Sequence, residues 1–417
     1  MYGERWHLWQ AANVFKNWNR DQTGVSDSSA ECLCRCCGGG MLGVIHEVQQ
    51  VKPASLFRET EDIHFQSEDV FSFGYCLKCY LVQNLAHPRG LFTPRSYDWI
   101  RYNEPDYHFS EVASLLATIQ HNGQRFDQIV GLSYKDTPLV EELGGALGIP
   151  VSVDDIIGVT PNWCADSLEK QIAQFEGRLK QVINDESSVL IIARRVIEHC
   201  SHPIDLFSCL GRVAKHVVVF FEDLGFEESM ARQKFDIIWN ERACYPFTEH
   251  LTTMIRNGGM KLLCSRTADR LGEQLKYHVA ANYSLPANHT DRGLVSGETV
   301  VLQYLEGWGN LWQFWKAKLN TKSQRFGVVG ASHKGISFSQ LFLTDVPRYE
   351  ILDDATNKCG LYHPDKSIAI KQLDHVDIAR LTDVVFTVDL KWLESIRERL
   401  LERRPDLRFF SFEGEVL

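Results

Sequence analysis

Residues 126–150 read FDQIVGLSYKDTPLVEELGGALGIP, and this stretch sets the fold class. Phe126 to Leu132 is a short apolar run without two-residue alternation, the pattern of a strand covered on both faces. Thr137 to Leu147 carries apolar residues at helical spacing and stops before Gly148-Ile149-Pro150, so a helix follows the strand. The same alternation continues outward. His108 to Ile119 predicts an amphipathic helix upstream. Downstream, Ser167 to Ile183 predicts a long polar helix, Ser188 to Ala193 (SVLIIA) a strand, Ile204 to Val213 a helix and His216 to Phe221 (HVVVFF) a strand. Buried strands separated by helices indicate a parallel sheet with helices on both faces.

A second α/β unit follows a helical bridge around Trp308 to Leu319. Strands are expected at Arg325 to Val329, Tyr349 to Leu352, Asp383 to Val388 and Leu407 to Ser411, with helices at Ser337 to Leu343 and Trp392 to Glu402. Trp308, Trp312 and Trp315 lie near helical spacing and read as an interdomain core. Three regions result: a cysteine-rich N-terminal module over 1–106, a central Rossmann-like α/β domain over 107–305 and a smaller C-terminal Rossmann-like α/β domain over 306–417. A chain of 417 residues is also too long for one core of ordinary size.

The formal net charge of −10 argues against nonspecific nucleic-acid binding, which needs a cationic surface to displace phosphate counterions. No run of about 18 apolar residues occurs, and the start MYGERWHLWQ lacks the features of a secretory leader, so no membrane partner and a cytoplasmic location are expected.

Half of the 12 cysteines fall in two windows. Cys34 and Cys37, and again Cys76 and Cys79, stand at the C-x-x-C spacing that lets two thiolates of one tight turn meet the same tetrahedral ion. Two such knuckles complete a four-sulfur site, which zinc suits best. Cys32 and Cys36 form a C-x3-C of their own and could replace a neighbour; buried free thiols, or a redox pair at Cys36-Cys37, are the other readings.

The windows read Cys34-Arg35-Cys36-Cys37-Gly38 and Cys76-Leu77-Lys78-Cys79-Tyr80-Leu81-Val82-Gln83. Later come Ala193-Arg194-Arg195-Val196-Ile197-Glu198-His199, then Phe235-Asp236-Ile237-Ile238-Trp239-Asn240-Glu241-Arg242-Ala243-Cys244-Tyr245, then Val329-Gly330-Ala331-Ser332-His333-Lys334-Gly335, and finally Asp354 through Lys358, Gly360 and Tyr362 to Pro364. Taken in order, these segments resemble the zinc-containing, S-adenosylmethionine-dependent C-methyltransferases of sugar-nucleotide and antibiotic pathways. That family carries C-R-x-C-G, C-x-x-C-G-L-V-Q, A-R-H-V-L-E-H, F-D-x-I-Y-H-E-H-x-x-Y and Y-G-A-x-x-K-G at these places. The resemblance selects Cys34, Cys37, Cys76 and Cys79 as structural zinc ligands. It also implies a small-molecule substrate, such as a nucleotide-sugar or a biosynthetic intermediate.

The family's chemistry needs a cofactor pocket, a base for a carbon-bound proton and stabilisation of the resulting enolate. A glycine-rich turn after the first strand, followed by an acidic residue ending the second, should hold S-adenosylmethionine. Only Gly131-Leu132-Ser133-Tyr134-Lys135-Asp136 stands there, with non-glycine residues at crowded positions; alternatively, this strand is the family's second and the first is missing. Ser133 and Asp136 could bond a ribose or simply form a polar turn. The residues that the resemblance places at the cofactor are Gly131, Ser133, Asp136, Arg195 and Glu198. Those it places at the reaction are Glu241, Tyr245, Arg242, Asn240 and His199. The family's H-E-H triplet is Asn240-Glu241-Arg242 here, and neither an amide nor a guanidinium takes up a proton at neutral pH. Glu241 beside Arg242 is expected to have a lowered pKa, and the gained Arg195 and Arg242 point to an anionic ligand. Glu198-His199 is either an acid–base pair or a structural hydrogen-bonding pair.

Overall fold

The computed structural model describes residues 33–40, 42–63, 70–86, 90–92, 106–121, 125–154, 156–157, 167–270, 273–283, 297–319, 325–344, 346, 349–388 and 390–417; Cys32 lies outside them. In chain order come β1 (Leu42–Gln49), β2 (Val70–Cys76), β3 (Val82–Asn84), α1 (Phe109–His121), β4 (Gln128–Gly131), α2 (Thr137–Leu147), β5 (Val151–Val153), α3 (Leu168–Val182), β6 (Ser188–Arg194), α4 (Pro203–Arg212) and β7 (His216–Asp223). There follow α5 (Phe226–Ala231), β8 (Cys244–Tyr245), α6 (Thr248–Asn257), β9 (Lys261–Arg270), β10 (Glu273–Ala281) and α7 (Gly297–Leu319). The last elements are β11 (Phe326–Val329), α8 (His333–Phe342), β12 (Tyr349–Asp353), β13 (Ile370–Gln372), β14 (Asp383–Phe386), α9 (Leu390–Arg403) and β15 (Arg408–Ser411).

The strands form three sheets. The first has the order β1-β2-β3-β8, antiparallel throughout, and its last strand comes from the middle of the chain. The central sheet has the order β5-β4-β6-β7-β10-β9, parallel from β5 to β7 and closed by an antiparallel hairpin. The third, β13-β12-β11-β14-β15, is wholly parallel. The expected α/β alternation is present.

Local chemistry explains the element that opened the reading. In α2, Pro138 occupies the first turn, where its missing N–H is not needed, and Leu139, Val140 and Leu143 face the core. Gly148 ends the helix in the left-handed region (φ 65°), and its N–H returns to the Gly144 carbonyl. Two expectations shift. The bridge expected from Trp308 begins at Gly297, so 305/306 lies inside α7, and the helix expected from Ser337 begins at His333, directly after the extended Ser332.

The 23-residue α7, about 35 Å long, joins the layers. Trp308 meets Phe73 of β2 at 4.9 Å, and Trp315 meets Phe338 of α8 at 4.8 Å while its indole N–H donates to the Phe412 carbonyl. These two tryptophans are core, as their spacing implies; Trp312, half-buried, lies tilted against His46 at 4.5 Å. In the central sheet the chain leaves β4 toward β5 on one side and returns to β6 on the other. In the third sheet it does the same around β11, between β12 and β14. Such switch points, at the carboxyl ends of parallel strands, are where open α/β sheets receive ligands.

Candidate functional site

The four knuckle sulfurs converge. The sulfurs of Cys34 and Cys79 are 3.5 Å apart, those of Cys37 and Cys76 are 3.6 Å apart, and all four lie within 4.8 Å of one another. A tetrahedral ion with metal–sulfur bonds of about 2.3 Å requires sulfur–sulfur edges of about 3.8 Å, so the cluster could hold a metal ion. Contact with Cys79 and burial push the Cys34 thiol far up, so several thiolates need a cation to share this volume. Cys76 is held below its usual value: burial opposes this, but the backbone N–H groups of Cys79 and Lys78 prevail. Cys36 is buried and turned to the His250 carbonyl, outside the cluster. His250 of α6 accepts the Phe247 N–H at Nδ1 and therefore donates from Nε2 to the Cys79 carbonyl, docking the second knuckle on α6.

At the switch point of the central sheet the side chains are closely packed. Gly131 is crowded, since a Cβ there would stand 2.9 Å from the Asp136 Cβ. Ser133 and Asp136 are fully buried and bonded to each other in a closed polar turn. Arg194, also buried, donates to Glu222 (3.2 Å) and to the Lys135 carbonyl, while His108 stands 2.6 Å from the same Glu222. Asp154, exposed at the end of β5, is the acid that a ribose would need, and the sequence reading missed it because β5 itself went unrecognised.

A second cluster gathers between the central and third sheets. Arg195 sits at φ 57°, a left-handed conformation that costs a non-glycine residue about 1–3 kcal/mol. The turn aims its guanidinium at Glu198 (2.8 Å). The Trp239 ring lies 5.8 Å from that of His199, 4.0 Å from that of His333 at the start of α8, and 4.7 Å from the Arg242 guanidinium. Burial, with Arg242, Lys334, Arg195 and Lys135 all within electrostatic reach, holds His333 neutral. Burial likewise lowers His199 to about 4; its Nδ1–H donates to the Glu241 carbonyl, leaving Nε2 as an acceptor. Arg242 is brought down to about 10 by burial and by Arg195. Lys334 pairs with Asp236 at 2.8 Å.

Glu241 departs from expectation. Burial raises it to about 7, and Ser55 and Lys135 only partly oppose the rise; its Oε1 receives the Ser55 hydroxyl. Arg242 is near, but removal from water outweighs it. The ordinary value is 4.5, so the fold favours the protonated acid. That contribution to stability is complete below pH 4.5 and is lost as pH rises through about 7. Glu241→Gln should therefore match the parent near pH 4 and exceed it at pH 8, by up to about 3 kcal/mol. Urea unfolding at both pH values measures this, and a variant less stable at pH 8 would contradict it.

Two residues assigned to the reaction are structural. The Tyr245 hydroxyl is fully buried, donating to the Trp239 carbonyl and accepting its N–H, because the 239–245 segment closes on itself. The Asn240 amide accepts the Ala54 N–H and donates to the Lys52 carbonyl, tying the segment after β1 to the 239–245 turn. His333, Lys334, Lys135 and Trp239 join the site without a local sequence signal, because distant segments bring them together. The turn before α8 is tight: a Cβ at Gly335 would lie 1.9 Å from the Gly330 carbonyl oxygen.

No protein-family model matches the chain, and no curated protein does. Among solved structures it is similar to magnesium protoporphyrin IX methyltransferase from Synechocystis, at 10% identity over 44% of this chain and 90% of that one, TM-score 0.28. A putative sarcosine dimethylglycine methyltransferase from Galdieria sulphuraria overlaps at 10% identity over 47% and 94%, TM-score 0.28. A methyltransferase from Clostridium acetobutylicum overlaps at 10% over 42% and 92%, TM-score 0.26. Overlaps this loose fix no shared function.

Proposed function

We propose that this chain is a repurposed relative of the zinc-containing C-methyltransferases that binds an anionic small molecule between its central and third sheets. One observation carries the reading: Glu198 Oε2, Trp239 Nε1, Glu241 Oε2 and Arg242 Nε are all buried without a hydrogen-bond partner, and all belong to this one cluster. Buried polar atoms left unpaired cost about 1–3 kcal/mol each, and four together mark a place prepared for a ligand or ordered water. Arg195, Arg242, Lys135 and Lys334 supply positive potential in a chain whose formal net charge is −10. A carboxylic acid that titrates near neutrality suits proton transfer to or from such a ligand, and Glu241 is the residue for it. His199 Nε2, neutral, is a second acceptor.

The four-cysteine cluster is the proposed structural zinc site. Among the described residues ten cysteines stand outside any disulfide, which suits a reducing compartment, and no helix is long and apolar enough to cross a membrane. Methyl transfer from S-adenosylmethionine has Asp154 in its favour and the packing around Asp136 against it.

Calorimetric titration of the zinc-loaded chain with inorganic pyrophosphate tests the anion site. Saturable, salt-sensitive binding is expected, weakened about 10-fold in Lys334→Gln or Arg195→Gln. No saturation by phosphate, pyrophosphate or a dicarboxylate at about 10 mM would end this reading.

A further inference from the structure

We infer that Asp136 is a built-in occupant of the crevice between β4 and β6, and that the chain takes no adenosyl cofactor there. Where two parallel strands part, the backbone N–H groups at their tips are the donors that a ligand would meet. Here the Asp136 carboxylate takes both. The Arg194 N–H reaches Oδ1 at 2.7 Å and the Ser133 N–H reaches Oδ2 at 2.7 Å, with the Ser133 hydroxyl at 3.3 Å. Asp136 is fully buried, and its Cβ lies against the bare backbone of Gly131.

The surroundings are closed as well. The Ile157 N–H returns to the Leu132 carbonyl (3.3 Å) and the Asp154 N–H to the Gly131 carbonyl (3.4 Å), so the chain after β5 folds across the tip of β4. Ile156 is buried there in the same core as Leu132 and Ala193, and Arg178 holds its carbonyl at 3.1 Å. On the far side, the Arg194–Glu222–His108 network fills the space beyond β6. Each strand-tip donor is thus already bonded to the chain's own carboxylate, as a ligand's oxygens would bond it. Asp154 keeps an acid suited to a ribose, but its own backbone N–H is bonded to Gly131. This inference stands independently of the anion site.

The test uses the full zinc-loaded chain. Titration with S-adenosylmethionine and with S-adenosylhomocysteine to about 1 mM should give no saturable heat, and a stoichiometric isotherm with either would overturn the inference. Hydrogen exchange on the same sample supplies a ligand-free readout. The amides of Ser133 and Arg194 should be protected at least about 100-fold, unchanged by added S-adenosylmethionine. Exchange at the rate of an open loop, or protection that appears only with the cofactor, would overturn it; protection without the cofactor also shows that a null titration does not reflect an unfolded sample.

Discussion

Replacing Cys76 with serine is expected to take bound metal from about one zinc ion per chain to none and to unfold the layer built on β1 to β3. A serine hydroxyl stays protonated near neutrality, so the site keeps three sulfurs and loses the charge that stabilises the ion. Apparent zinc-binding free energies of about 10–16 kcal/mol in small zinc modules are as large as the whole stability of an ordinary domain, about 5–15 kcal/mol. Cys76 is fully buried at the end of β2, and its backbone bonds to Leu81 and Tyr80, so the turn and strand go with the metal. Cys79→Ser should behave alike. Cys36→Ser is the control: equally buried, it touches the His250 carbonyl and should keep its zinc. Metal analysis and circular dichroism of the three variants decide the matter, and full zinc content in both Cys76→Ser and Cys79→Ser would refute the site.

Arg194→Met is expected to cost about 3–5 kcal/mol, the usual penalty for removing one partner of a buried ion pair. Glu222 is completely buried and would be left with His108 alone, while the Lys135 carbonyl would lose its donor. The guanidinium also stacks on Phe109 at 4.9 Å, so α1 loses its hold on the sheet. Arg194→Met combined with Glu222→Gln should recover part of the loss, because no uncompensated charge then remains. Denaturant midpoints measure both, and a single variant within about 1 kcal/mol of the parent would show that the network is not buried as described.

The parts of the fold that could be read from sequence share one property: their signal is local. The apolar run at Ile129-Val130, the helical spacing of Leu139, Val140 and Leu143 and the stop at Gly148 lie within 20 residues of one another, and each appears where expected. The knuckles are legible for the same reason, since each C-x-x-C fits one turn. The hairpin of β9 and β10 was not anticipated, although it completes the sheet beyond β7. Nor was the sheet of β1 to β3, whose last neighbour, β8, is a two-residue strand from more than 150 residues away. Long-range pairing of that kind leaves no periodicity in either segment.

For the site, the sequence by itself determined the residue types and their spacing: four thiols at two knuckles, Glu241, and two arginines where the resembling family has histidines. Only the tertiary structure decided what those groups do. It left Cys36 outside the four-sulfur cluster, engaged Tyr245 and Asn240 in bonds to nearby backbone, and brought His333 of α8 beside Trp239 and Lys334 beside Asp236. It also raised the pKa of Glu241 where adjacency to Arg242 had implied a fall. The physical reason is common to all of these. Neighbours in sequence set which charges are available, but the free energy of a charge depends on how much water surrounds it and which backbone groups reach it, and both follow from packing between distant segments.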